Sequence, residues 1–301
     1  MLLFKTDNPV PGAQPPVRPL LLVGSAGTLG QAFQRICDIR GIVTVALDRT
    51  ALDITSAGSI AAALRQYQPW AVVNTAGYVR VDEAEADQAQ CYLVNTVGPT
   101  LLAKACAEYD VQFLTFSSDL VFDGRQSVAY VESDQARPLN VYGHSKYLAE
   151  GQVLAALPEA LIIRTSAFFG PWDEYNFVYH ALRTIGQRQP FEAADNVLIS
   201  PTYVPDLVNT SLDLLIDEEC GIWHLANQGA YTWAELACLA ADVAGMAASY
   251  VVPRPMQVFG WAAARPHYSV LGSQQGDLLP SVESGLLRYL AEVPALDTTL
   301  V

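Results

Sequence analysis

Tyr142-Gly143-His144-Ser145-Lys146 sets a phenol and an ammonium four residues apart, a spacing that puts both on one face of a helix. A carbonyl reductase needs such a pair, because hydride attack turns a keto oxygen into an alkoxide that must receive a proton. Tyrosine is a weak acid, and an ammonium one turn away favours its ionised form. The chain holds three lysines and fourteen tyrosines, so the spacing decides nothing alone. Its place on the helix after the fourth strand of a nucleotide fold gives it weight. Ser117-Ser118-Asp119 directly follows that strand, where open α/β sheets keep their chemistry. Ser118 is the candidate for binding a substrate carbonyl, with Ser117 nearer the cofactor; the plainer alternative is a pair of turn-forming serines. Asn95 is expected to carry a water linked to Lys146.

A hydride needs a source. Gly24-Ser25-Ala26-Gly27-Thr28-Leu29-Gly30 follows the first strand and opens the first helix. Gly24 suits the tight turn, Gly27 a backbone approached by a pyrophosphate, and Gly30 close helix–strand packing. Thr28 and Leu29 sit at the helix N-terminus, whose unpaired N–H groups attract phosphate. The spacing is GxxGxxG, one residue longer in its first half than GxGxxG. Asp48-Arg49 ends the second strand: an acid there accepts from an adenosine ribose, and an arginine pairs with a 2′-phosphate. The cofactor is therefore NADPH or NADH, with both open. Asn74-Thr75-Ala76-Gly77 ends the third strand, where Asn74, Ala76 and Gly77 line the cofactor crevice.

Strands are expected at Leu20–Val23, Ile42–Leu47, Trp70–Asn74, Val111–Phe116 and Ala160–Arg164. Helices alternate with them at Thr28–Arg40, Ser56–Tyr67, Gln88–Tyr109 and Tyr142–Leu157. That rhythm predicts an α/β fold, a doubly wound parallel (Rossmann-type) sheet with a smaller mixed α/β substrate-binding lobe. Residues 1–19, with five prolines, read as a tail or linker, and 20–165 as the NAD(P)-binding domain. Segments Asp206–Ile216 and Ile222–Leu225 look like a return to the sheet within about 200–228. Residues 166–199 and 229–301 form mainly the substrate-binding lobe, with helices at Asn176–Gly186, Thr232–Ala244 and Ser281–Ala291.

Seventeen Lys and Arg face thirty-one Asp and Glu, a net charge of −14. That balance excludes extended polyanions such as nucleic acid or an anionic membrane as partners. It leaves room for a dinucleotide, which glycine-loop amides hold without formal charge. Cys37, Cys91, Cys106, Cys220 and Cys238 are scattered, with no metal-ligand spacing, and predict reduced thiols in the cytoplasm. The N-terminal apolar run is too short for a signal peptide. Leu236–Val252 contains Asp242 and Gly245 and predicts a buried helix running into a strand, not a membrane span.

VGSAGTLG, NTAG, FSSDLVFDG, YGHSK and RTS together resemble the extended short-chain dehydrogenase/reductases, and more narrowly the dTDP-4-dehydrorhamnose reductase family. The resemblance runs from about Arg18 to Leu290 and includes Val81-Asp82-Glu83-Ala84-Glu85, Asn176-Phe177, Pro201-Thr202, Tyr231-Thr232-Trp233 and Ala264-Arg265-Pro266. It implies reduction of the 4-keto group of a nucleotide-linked 6-deoxyhexose by NADPH or NADH. It further implies Tyr142 as proton donor, Lys146 on the nicotinamide ribose and Ser118 on the keto oxygen. Gly24, Gly27, Leu29, Gly30, Asp48, Ala76, Gly77 and Ser117 would contact the cofactor. Arg265 would meet the substrate diphosphate, and Val81, Asn176 and Phe177 the sugar nucleotide. A homodimer is one expected assembly, and the proline tail fits a domain of a longer fusion protein. Some members of the family pair through Mg²⁺, but no acidic ligand cluster is visible here, and no metal is expected. Ala167 stands where the family usually has a tryptophan, with Phe168, Phe169 or Trp172 as candidates to fill the gap. Two alternatives remain: a non-catalytic dinucleotide-binding regulatory subunit, and a nucleotide-sugar epimerase or dehydratase. A dehydratase usually carries Asp-Glu beside the serine, whereas Ser118 is followed by Asp119-Leu120.

Overall fold

In a computed structural model the chain is described over residues 17–276 and 279–293. Most of the proline-rich segment and residues 294–301 lie outside that range. Strands β1 (Leu20–Val23), β2 (Thr44–Leu47), β3 (Ala71–Asn74), β4 (Gln112–Ser118) and β5 (Leu161–Thr165) are joined by Gly221–His224. They form one six-stranded parallel sheet in the order Gly221–His224, β5, β4, β3, β1, β2. Every residue of β1, β3 and β5 is buried, as a strand covered by helices on both faces must be. Order reverses beside β1, which opens the crevice where such sheets bind ligands.

Helices α1 (Thr28–Arg40) and α2 (Ala57–Tyr67) cover opposite faces. Phe33, Ile36 and Cys37 of α1 join one core layer, and Ile60, Ala63 and Leu64 of α2 the other. Ser56 caps α2 by accepting from Ser59 N–H. A short helix α3 (Val81–Ala84), unread in the sequence, precedes the expected long helix. That helix is α4 (Gln88–Tyr92), a π turn (Leu93–Val97) and α5 (Gly98–Tyr109). The π turn adds a residue to one turn and re-aims the side chains around Asn95. Helix α6 (Val141–Ala156) starts at Asn140, whose side chain accepts from Gly143 N–H at 2.7 Å.

The second lobe is built on α7 (Phe177–Gly186), α9 (Trp233–Val243) and α10 (Val282–Glu292) around Phe169, Val178, Leu182, Tyr203, Leu236 and Leu286. Strand Phe191–Ala194 pairs in parallel with Val251–Arg254. Asp206–Ile216 does not enter the sheet: it belongs to α8 (Val204–Ile216), whose Val208, Leu212 and Leu215 pack with Phe33 of α1 in the core. Among the described residues, no helix is long and apolar enough to cross a membrane.

Candidate active site

The three glycines of the first turn differ in what they meet. Gly24 has φ +82°, and a Cβ there would lie 2.5 Å from Ala76 N. A Cβ on Gly30 would lie 2.4 Å from Gly24 O. Both are required by the protein's own packing. Gly27 is not: its φ is −79°, and an added Cβ would meet only Gly24 O, at 3.6 Å. No side chain caps α1, so the amides of its first turn at Thr28, Leu29 and Gly30 stay open to a phosphate. The open cradle at Gly27 fits a dinucleotide pyrophosphate. Gly27→Ala is therefore expected to fold normally and to weaken dinucleotide affinity about tenfold or more, measured by fluorescence titration. Gly24→Ala, with its positive φ and backbone clash, is expected to lower the melting temperature instead.

Other cofactor candidates sit around the same crevice. Leu29 is buried in the core, so only its backbone is available. Asp48 Oδ1 accepts from Thr50 N–H, Thr50 Oγ and Ala51 N–H, and these donors hold its carboxyl below the usual range. Arg49 is exposed beside it. Asn74 is buried, with Nδ2 donating to Thr115 Oγ at 3.1 Å and Oδ1 accepting from Ala76 N–H at 3.2 Å, so it shapes the turn carrying Ala76 and Gly77. A Cβ on Gly77 would lie 3.3 Å from Asn95 Oδ1 and 3.5 Å from Lys146 Nζ. Asn95 accepts from Tyr78 N–H at 2.7 Å and donates to Tyr78 O and Ser145 Oγ; its side chain pins the turn after β3.

Ser118, Tyr142 and Lys146 converge where β4 ends and α6 begins. Ser118 Oγ donates to Asp119 Oδ1 at 3.0 Å and accepts from Leu120 N–H at 3.2 Å, and Ser118 and Tyr142 line one cleft. Lys146 Nζ lies 5.9 Å from the Tyr142 ring centroid and donates to Phe116 O at 3.1 Å. Burial first, then the charge of Asp119, pushes the phenol well above its ordinary value. Desolvation dominates the phenol, and Lys146 spends one of its three donors on Phe116 O. Burial lowers Lys146 itself to about 8.

A depressed lysine carries a stability cost at neutral pH. Between about 8 and 10.5 the folded lysine is neutral while the unfolded one, at 10.5, is still charged, so unfolding takes up a proton and stability rises with pH across that window. Below it, the full penalty for burying the ammonium applies. Lys146→Met is accordingly expected to be more stable than the native protein at pH 7, by on the order of 2 kcal/mol. The gap should close as pH rises toward 10, which thermal melts across pH will read.

Ser118 and Tyr142 open into a cleft of about 570 Å³ between the sheet and the second lobe, which Val81, Ser117, Phe177 and Arg265 also line; Lys146 is not among its lining residues. Ser117 Oγ additionally donates to Glu150 Oε1 at 2.5 Å. Arg265 is held: its guanidinium makes two bonds to Asp82, at 2.9 and 2.6 Å, and stacks 4.4 Å over Trp261. Asn176 does not line the cleft. It caps α7 through Tyr179 N–H and donates to Gly170 O and Asp173 O, as an asparagine directly before an apolar helical run does.

Ala167 lines the cleft with φ +42°. Of the aromatics considered for its neighbourhood, Phe168 alone reaches the cleft. Phe169 is core, packed on Tyr203 and Tyr289, and Trp172 lies under Arg35 at 4.8 Å. The aromatic wall comes instead from Trp233, Phe259 and Trp261, the last two stacked at 5.3 Å. Met256–Trp261 carries the sequence signal, a short aromatic cluster just before Arg265, which only the fold connects to Ala167. Among the described residues, no group of three His, Cys, Asp or Glu gathers at metal-binding distance.

A doubly wound parallel sheet with a serine at the end of its fourth strand, and a tyrosine and lysine one turn apart on the next helix beside a cleft under a second lobe, defines an extended short-chain dehydrogenase/reductase. Within that class the chain belongs to the RmlD substrate binding domain family, whose model matches residues 18–287. It is 32% identical over 255 residues to a dTDP-4-keto-6-deoxy-D-glucose reductase of Streptomyces niveus, covering 84% of this chain and 88% of that one. It is 33% identical over 261 residues to a dTDP-4-dehydrorhamnose reductase of Mycobacterium tuberculosis, covering 85% of each. Among solved structures, a dTDP-4-dehydrorhamnose reductase of Bacillus anthracis in complex with NADP superposes with a TM-score of 0.88. That match has 30% identity and covers 92% of this chain and 99% of the other.

Proposed function

We propose that this protein uses NADPH or NADH to reduce the 4-keto group of a dTDP-linked 6-deoxyhexose, in the manner of a dTDP-4-dehydrorhamnose reductase. The observation that carries the reading is the placement of Ser118 and Tyr142 in the wall of a cleft that also holds Arg265, with Lys146 one helical turn along, 5.9 Å from the Tyr142 ring centroid. The nicotinamide, when bound, supplies the hydride. Ser118 and Tyr142 hold the keto oxygen, and Tyr142 gives its proton to the forming alkoxide. Lys146 holds the nicotinamide ribose and stays near the phenol. Glycine-loop amides hold the pyrophosphate, and Thr28, Asp48, Arg49, Asn74, Ala76, Gly77 and Ser117 shape the rest of the dinucleotide site. Arg265, pre-aimed by Asp82 and Trp261, faces the substrate diphosphate, with Val81, Phe177 and the Trp233–Trp261 wall around the sugar nucleotide. The dehydratase alternative is disfavoured by Asp119, whose two oxygens are both taken by serine hydroxyls. The five thiols form no disulfide, which suits the cytoplasm as its location. We read 20–165 with its returning strand as the cofactor lobe, and a homodimer as the assembly.

The test is NADPH oxidation with dTDP-4-dehydrorhamnose as substrate. Turnover that depends on the keto sugar supports the reading. Dinucleotide binding without turnover of this or any 4-keto-6-deoxy sugar nucleotide would point to the regulatory alternative and overturn it.

A further inference from the structure

Among the described residues, Tyr175 is the most exposed of the large apolar side chains, at 90%, and with Val79 it is one of two such side chains that also line the cleft. Single exposed apolar residues are ordinary, but this one is held at the cleft mouth. Its N–H donates to Asp173 Oδ1 at 2.8 Å. The next residue, Asn176, caps α7 and donates back to Gly170 O at 3.3 Å. Trp172, in the same loop, packs on the core layer of α1 with Arg35 4.8 Å over its ring. The loop from Gly170 to Asn176 is thus closed on itself and anchored, which stands Tyr175 beside the segment Ala167–Phe169. That segment marks the reacting end of the cleft, because it follows Thr165, the register partner of Ser118 across β4 and β5. Ala167 brings only a methyl group to the wall there.

We propose that Tyr175 is a substrate-binding residue that sets the preference for the sugar: its ring packs over the 6-deoxyhexose in the space beside Ala167. This deepens the ketoreductase reading, on whose substrate it rests. A 6-deoxyhexose has an apolar C6 methyl and C–H faces between its hydroxyls, and a tyrosine ring offers a flat apolar surface with one hydroxyl at its tip. Two side-chain torsions are all that must be fixed, so little entropy opposes the contact. Because the ring is exposed, the fold draws almost nothing from it, and the area it covers on the sugar counts toward binding. Burying about a third of a tyrosine's surface corresponds to about tenfold in affinity.

The test is calorimetry on the NADPH-loaded protein with dTDP and with dTDP-L-rhamnose, the 4-hydroxy product, neither of which NADPH can reduce. The ratio of the two affinities is the share contributed by the sugar. In Tyr175→Ala that ratio is expected to fall about tenfold, with dTDP affinity within about twofold of native and an unchanged melting temperature. Tyr175→Phe, which keeps the ring, should recover most of what Tyr175→Ala loses. In steady-state kinetics the KM for dTDP-4-dehydrorhamnose should rise about tenfold in Tyr175→Ala while kcat moves less than about threefold, as for a contact made equally in bound substrate and transition state. An unmoved sugar ratio or an unmoved KM overturns the proposal, as does a lowered melting temperature, which would make the ring structural. Native turnover separates the two claims. An active native protein with an unmoved ratio in Tyr175→Ala sinks the role of Tyr175 alone. An inactive native protein whose sugar ratio still falls in Tyr175→Ala sinks the ketoreductase reading alone, and one with no preference for the sugar sinks both.

Discussion

Tyr142→Phe is expected to lower kcat for keto-sugar reduction by about 10²–10⁴-fold while leaving dinucleotide affinity and melting temperature near native. The size follows from what the hydroxyl does. Removing it leaves the ring packed against Tyr78, Ala84 and Cys91. The stability cost is therefore small. The chemical cost is large, since hydride attack would place a negative charge on an oxygen with no proton donor. Burial and Asp119 hold the native phenol well above its ordinary value, so it remains protonated through neutral pH and the loss should appear across that whole range. Rapid-quench turnover with a matched NADPH titration separates the two quantities. A variant that keeps a tenth or more of native kcat would show that water or Ser118 delivers the proton instead.

Elements whose signals are local were legible in the sequence. The glycine turn, the Ser56 cap and the apolar strands each announce themselves within a few residues, because backbone conformation and capping are short-range effects. The Ser118–Tyr142–Lys146 set was legible for a related reason, since the strand end and the following helix are consecutive in a βαβ unit. Asn176 was misplaced because cap and pocket signals compete at one position, and the helix took the side chain. The Arg265–Asp82 pair spans 183 residues, and the aromatics opposite Ala167 come from the Trp233–Trp261 stretch. No periodicity encodes such contacts; they exist only after two lobes pack. The π turn at Leu93–Val97 was hidden too, because its extra residue leaves the apolar pattern of the long helix intact.

Glu150 extends the Tyr142–Lys146 face by one more turn, and its environment predicts the largest stability effect in the molecule. It and Arg164 are each 4% exposed in their side chains, joined by two bonds at 2.8 and 2.7 Å. Glu150 also takes the Ser117 hydroxyl, and Arg164 reaches His224 Nε2 at 3.3 Å. Two charges so deep stabilise the fold weakly as a pair, because desolvation offsets their attraction, but either one alone is costly. Glu150→Leu is expected to cost about 3–5 kcal/mol, since it strands a guanidinium beside a histidine that burial and Arg164 already hold below its ordinary value. Arg164→Met should cost as much. The double variant should recover most of the loss, giving a coupling energy of about 5 kcal/mol or more in urea unfolding. Additive single losses would mean that the pair is solvated in solution. A second readout tests the link to chemistry. The Glu150 charge supports the Lys146 ammonium against its desolvation, so in the double variant Lys146 should lose its proton at lower pH than the native value of about 8. The stability recovered by removing the ion pair would then come with a weaker hold of Lys146 on its proton, one turn away on the same helix.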